Sequence, residues 1–143
     1  MVFRHSILAV TALGCAALLQ ASAALAHGAI AVGQPSSVAQ GGVAVGYTWN
    51  YPTSGEAEAE ALKQCLSYMD APDSTRALCK VVRTFSHECV AISMDPNTGT
   101  EGFGWAVAGT QSEAYDGALG ICKSSDGDAA AACAVQAQKC DTN

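Results

Sequence analysis

Basic side chains are few in this chain. Its 143 residues include 7 Lys and Arg against 13 Asp and Glu, a formal net charge of −6. Nucleic acid and anionic membrane surfaces attract cationic patches, so both are excluded as expected partners. Histidine is scarcer still, with three residues, His5, His27 and His87. The chain has no nucleophile, base and acid set, no cysteine-histidine zinc spacing and no glycine-rich phosphate loop. Long apolar runs are missing too: the run from Ile7 to Leu19 is shorter than the roughly 20 residues a membrane span needs, and no later segment comes closer.

What the first residues do contain is a basic start at Arg4, that apolar run, and a small-x-small site at Ala24-Leu25-Ala26. This pattern predicts a secretory signal peptide over residues 1–26, leaving one mature domain from His27 to Asn143, secreted or periplasmic and not held in a membrane. Cys15 would be a lipidation site only in a lipoprotein signal, which the preceding Ala12-Leu13-Gly14 fits poorly. Without Arg4 the mature chain carries 6 basic and 13 acidic residues, a net charge of −7. It keeps Cys65, Cys79, Cys89, Cys122, Cys133 and Cys140, an even set that predicts three disulfides in an exported domain.

The frame Glu-Ala-x-x-x-Ala-Leu-x-x-Cys occurs twice, at Glu56 to Cys65 and at Glu113 to Cys122. In the first copy Ala57, Ala61, Leu62, Cys65, Leu66 and Met69 recur at helical spacing and predict one buried stripe, with Ser54 as N-cap. In the second, Ala114, Ala118, Leu119 and Cys122 repeat it, with Gln111 or Ser112 near the start. The short Val-, Ile- and aromatic-rich segments AIAVG, GVAVGYTW, KVVRTF, VAISM, FGWAVAG and AVQAQ read as strands, while DPNTG and GQPSS are turn chemistry. The segment SSDGDAAAA before Cys133 follows no clear pattern. The expected fold class is therefore α+β: a duplicated strand-strand-helix-strand unit with pseudo-twofold symmetry, spanning about residues 28–89 and 90–140. Six cysteines allow fifteen connectivities. If each half treats its cysteines alike, the pairs are Cys65 with Cys79, Cys122 with Cys133, and Cys89 with Cys140 across the halves.

The GAIAV start, the two helix frames, the Cys-x-Val strands, and CVAIS with GWAVAG between them carry a resemblance. The chain resembles domain-of-unknown-function family 4189, a group of small exported bacterial proteins, over nearly all of its mature length. The resemblance implies an exported, disulfide-bonded domain, and it carries no catalytic residue over.

Candidate sites follow from single features. Cleavage after Ala26 would give His27 a free amino group beside its imidazole, a two-nitrogen copper chelate that His87 could complete as a brace. A frayed terminus is the plainer reading. His87 in FSHEC lies beside Ser86 and Glu88, but neighbours on a strand point to opposite faces, so a loop histidine is expected. Asp95, Asn97 and Glu101 alternate like calcium ligands, although Pro, Asn and Gly explain the stretch as a hairpin turn. Glu56 and Glu60 share a helix face and read as solvated carboxylates.

The segment YTWNYP stands apart. Matching Gly42 to Gly104 gives an offset of 62, and matching Glu56 to Glu113 gives 57, so the first half is five residues longer between these points. That insertion would carry Tyr47, Trp49 and Tyr51 on one strand face, either as packing or as an exposed binding face. The leading expectation is a non-enzymatic binding or interaction module, possible forms including an inhibitor, with no cofactor and a protein or glycan partner. The alternative is a copper-binding protein or oxidase using His27, and a purely structural envelope protein is a third reading.

Overall fold

A computed structural model describes residues 26–126 and 132–141. The expected leader with Cys15, and the centre of SSDGDAAAA, lie outside the described residues. Strands β1 (His27–Gly33), β2 (Ala44–Tyr51) and β3 (Lys80–Phe85) form an antiparallel sheet in the order β2-β1-β3. Strands β4 (Cys89–Met94), β5 (Phe103–Ala108) and β6 (Ala134–Cys140) form a second, in the order β5-β4-β6. Helix α2 (Ser54–Leu66) follows β2 and helix α4 (Gln111–Asp126) follows β5. Two four-residue helices, α1 (Val38–Gly41) and α3 (Asp73–Arg76), lie in connections of the first half, where the sequence reading placed no element. Among the described residues no helix is long and apolar enough to cross a membrane.

Period-two alternation sorts each strand between two environments. In β1, Ala29 and Ala31 face α2 with Ala57, Ala61 and Cys65, whereas Ile30 and Val32 join Val45 and Phe85 against Val90, Ile92 and Phe103 of the second half. In β4, Cys89 and Ala91 pack on Ala114 and Ala118 of α4. The layers therefore run helix, sheet, sheet, helix. Small side chains fill the outer seams and larger ones the middle.

The outer seams are narrow because the helix backbones nearly touch the sheets. A Cβ on Gly46 would lie 2.0 Å from the Ala61 carbonyl oxygen and 2.6 Å from the Cys65 nitrogen; on Gly104 it would lie 2.4 Å from the Ala118 oxygen and 2.5 Å from the Cys122 nitrogen. Only glycine fits. The apolar stripe is correspondingly narrower than the spacing predicts. Ala57, Ala61 and Cys65 are buried, but Leu66 is 49% and Met69 82% exposed, the latter because α2 ends at Leu66. The helix starts also differ by a residue. Thr53, rather than Ser54, accepts a hydrogen bond from the Glu56 amide (3.2 Å) and donates to the Glu56 carboxylate (2.9 Å). Thr110, rather than Gln111 or Ser112, does the same for Glu113 at 3.3 and 2.9 Å. A threonine three residues before the glutamate thus precedes both copies of the helix frame.

The strand registers correct the sequence match as well. Gly46 stands opposite Ala31 and beneath α2, and Gly104 stands opposite Ser93 and beneath α4. Gly46, not Gly42, lies against its helix as Gly104 lies against α4, and Tyr47 stands opposite Ile30 as Trp105 stands opposite Ile92. With those two glycines matched, Tyr47 and Trp49 fall within the strand and not in extra length. Most of the extra length lies in the β1–β2 connection that holds α1, and one residue lies in a bulge of β2, where the register shifts between His27 and Ala29. Asn50 in that bulge has φ 58°, a left-handed conformation that asparagine tolerates.

The disulfides join Cys65 to Cys79, Cys122 to Cys133 and Cys89 to Cys140, the pairs that the repeated frame predicts. The third does not bridge the halves as expected. Cys89 opens β4 and faces Cys140 on β6, so this bond is a cross-strand staple within the second sheet. No disulfide among the described residues links one sheet to the other.

Two predictions follow from this packing. Gly46→Ala or Gly104→Ala should destabilise the protein by about 2 kcal/mol or more in chemical denaturation, since backbone must move, whereas Gly55→Ala, in open space, should not. Proteolytic cleavage between Phe85 and Cys89, followed by denaturation without reductant, should release two separate fragments. A single covalently joined species on a non-reducing gel would contradict the pairing.

Candidate functional site

The β2 edge strand carries the aromatic residues singled out above. Tyr47 and Trp49 share the inner face with ring centroids 5.9 Å apart, and the Lys139 ammonium sits 5.0 Å from the Trp49 ring centre. Both aromatics are half-buried. Tyr51 does not join them. The bulge at Asn50 reverses the alternation, so Tyr51 packs against the Ala29–Ala57 cluster beneath α2, and the expected single aromatic face is split between two sides of the sheet. The bulge is held from the other half. Asp141, 2% exposed, accepts the Asn50 amide at Oδ1 (2.7 Å) and donates its own amide to the Glu88 carbonyl (2.8 Å). The Gln64 side chain accepts the Tyr47 amide at 3.2 Å, covering part of the strand edge.

Open clefts flank the packed sheets. One, of about 370 Å³, is lined by Val45 and Tyr47 of β2, Ile92 and Met94 of β4, Gln136 and Ala137 of β6, and by Tyr68, Asp95 and Pro96. Another, of about 380 Å³, continues past Tyr68, Met94, Asp95 and Pro96 to Asp70 and the 97–102 hairpin. A third, also about 380 Å³, has Trp105 on its wall, facing Val32, Gln34, Lys80 and Val82. Tyr47 and Trp105 thus hold corresponding places in two clefts. Burial first, then the charge of Asp70, then Tyr47, push the Tyr68 phenol pKa up. The sequence reading missed Tyr68 and Trp105. Tyr68 sits in no motif, and Trp105 was read only as part of the FGWAVAG strand, because matching Gly42 to Gly104 hid that it faces the inner seam as Tyr47 does.

The histidines lie at one end of the first sheet. His27 is half-buried in β1, opposite Tyr51. His87 has φ 56° in the turn between β3 and β4, so it does not obey strand alternation, and its Nδ1 lies 3.0 Å from the Ser86 hydroxyl. Ser86 and His87 thus touch although the trio with Glu88 does not converge, and while Ala26 is attached the polarity of the contact is wrong for a nucleophile. The single Ser86 hydroxyl proton goes to the Ala26 carbonyl (2.7 Å), so His87 Nδ1–H must donate to Ser86 Oγ rather than accept from it. Glu88 turns instead toward Arg83, 3.7 Å away. Among the described residues no three His, Cys, Asp or Glu side chains gather as metal ligands.

The calcium-like residues also separate. Asp95 Oδ1 accepts from the amide and side chain of Asn97, both at 2.8 Å, closing the hairpin turn. Glu101 reaches the other half, accepting the Ser37 hydroxyl at 2.6 Å and the Val38 amide at 2.7 Å at the start of α1. The Ser37 bond foremost, then the Val38 bond, hold the Glu101 carboxyl below its ordinary pKa. Glu60 pairs with Lys63 at 3.2 Å, and Glu56 serves the cap of α2.

A pH dependence follows. The folded state lowers the Glu101 pKa, so the tie is fully present above the ordinary carboxylate range and is lost as pH falls through the depressed folded value. Protection of the Val38 amide from hydrogen exchange should drop over that acid window, and in Glu101→Gln it should be lower throughout and insensitive to it.

No curated protein and no solved structure matches the chain. A family model described as Domain of unknown function (DUF4189) does, over residues 27–140. That span takes in every strand and helix among the described residues and the six paired cysteines, and the chain belongs to this family.

Proposed function

We propose that this protein is an exported, non-enzymatic binding module, built from two copies of one strand-strand-helix-strand unit and stiffened by disulfides, that engages a protein or glycan with the inner-face aromatics of its edge strands. One observation carries the reading: Tyr47 and Trp105, at corresponding positions of β2 and β5, each wall an open cleft between the sheets. Aromatic rings give large contact area at low entropic cost, and half-buried rings on paired strands are already oriented. The common position of Gly46 and Gly104 and the doubled threonine caps support the duplication.

Export is supported by the leader-like pattern of residues 1–26 and by three disulfides, which persist in oxidising compartments. Cleavage after Ala26 removes the carbonyl that takes the Ser86 proton, leaving the hydroxyl free to turn toward His87. Intact-mass measurement of exported material should give a chain beginning at His27; any other start sinks this part of the reading.

The binding role is tested by quantitative capture from the exported fraction. Tyr47→Ala and Trp105→Ala should each reduce recovery of a saturable partner by tenfold or more, while Tyr115→Ala, an exposed ring on α4, should not. Circular dichroism separates lost binding from lost folding, since removing a packed aromatic typically costs 3–5 kcal/mol. Equal recovery by all folded variants counts against the proposal.

A further inference from the structure

We propose that the cleft walled by Tyr47, Tyr68 and Met94 receives the guanidinium of an arginine side chain on an extended peptide. The inference rests on the binding-module reading and names the chemistry of its partner. At about 370 Å³ the cleft is at the small end of ligand sites, suited to one long side chain. The adjoining space of about 380 Å³, reached past Tyr68 and Met94, gives the attached backbone somewhere to lie.

Charge selects the occupant. Asp70 and Asp95 line this pair of clefts, and no Lys, Arg or His lines either. Asp95 Oδ1 is engaged in its turn, so its contribution is a fixed negative charge rather than a new hydrogen bond. The Tyr68 phenol is neutral at its ordinary pKa, and burial first and Asp70 next push that pKa further up. Rings and a thioether in the same wall favour guanidinium over ammonium, because guanidinium is planar, weakly hydrated and able to stack. The cleft walled by Trp105 serves as an internal comparison. It has similar volume and an aromatic wall, but Lys80 already supplies a cation there, so a second is repelled.

The test is a titration of the isotope-labelled protein with acetyl-Gly-Arg-Gly-amide, its citrulline counterpart, and arginine amide alone. The arginine peptide should shift the amides of Tyr68, Met94 and Asp95 saturably and bind at least tenfold tighter than the uncharged citrulline peptide. Asp70→Asn, an exposed change that leaves the spectrum otherwise intact, should weaken binding several-fold and flatten its salt dependence. Tyr68→Phe should retain most of the affinity. Equal binding of the citrulline peptide, shifts centred on Trp105 and Lys80, or no saturable binding would overturn the proposal. Arginine amide binding as tightly as the peptide would overturn the peptide assignment. A partner captured through Tyr47 and Trp105 that shows no preference for arginine would leave the binding-module reading standing and remove this one.

Discussion

The rest of the structure depends on how closely each long helix lies against its sheet. At Gly46 and Gly104 there is no room for a Cβ between strand and helix backbone, and alanines fill the surrounding positions. Such a seam buries little side-chain volume, so it cannot be the main store of apolar stabilisation. That role passes to the inner faces, where Ile30, Phe85, Val90, Ile92 and Phe103 meet. Cys65 and Cys122, each one turn past an alanine of the seam, tie the helix to the segment leading into the next strand. Loops of this size are each worth about 3 kcal/mol in the chain-entropy account. The staples reinforce seams whose packing alone is thin.

The two halves are held together by different means. No disulfide among the described residues crosses between the sheets, and the joint is made by the inner core and a few directed contacts. Glu101 takes two hydrogen bonds at the start of α1, Asp141 grips the β2 bulge, and Lys139 lies over Trp49. Each contact sits at the rim of the inner seam. Between them the clefts remain open, which puts the half-exposed aromatics where the halves meet rather than on an outer face.

Much of the fold is legible along the chain because its signals are local and periodic. Among the described residues the six strands lie where β-rich segments meet turn residues, and the two long helices lie on the repeated frame. The cysteine pairs follow from treating the halves alike, yet assigning Cys89 to the first half hid the fact that its bond lies inside one sheet. The capping threonines stood in the sequence at the right spacing, one or two residues before the predicted starts. Leu66 and Met69 read as buried because apolar spacing reports a helix face without reporting where the helix ends or how near the sheet lies.

What the sequence determined by itself was the strands, the two long helices, the seams of small residues and the Cys65–Cys79 and Cys122–Cys133 pairs, since each depends on spacing within a few turns of chain, with Cys89 and Cys140 left as the remaining pair. Which strand residues lie under a helix, and which of them meet across the inner seam, was decided by tertiary structure alone. A one-residue bulge at Asn50 turns Tyr51 away from Tyr47 and Trp49. Contact with the helix backbone, absent from any sequence pattern, gives Gly46 and Gly104 the same kind of surroundings. The clefts exist only where strands from distant parts of the chain are brought face to face, so Tyr68, outside every motif, gains its surroundings from Asp70, Met94 and Asp95 only after folding.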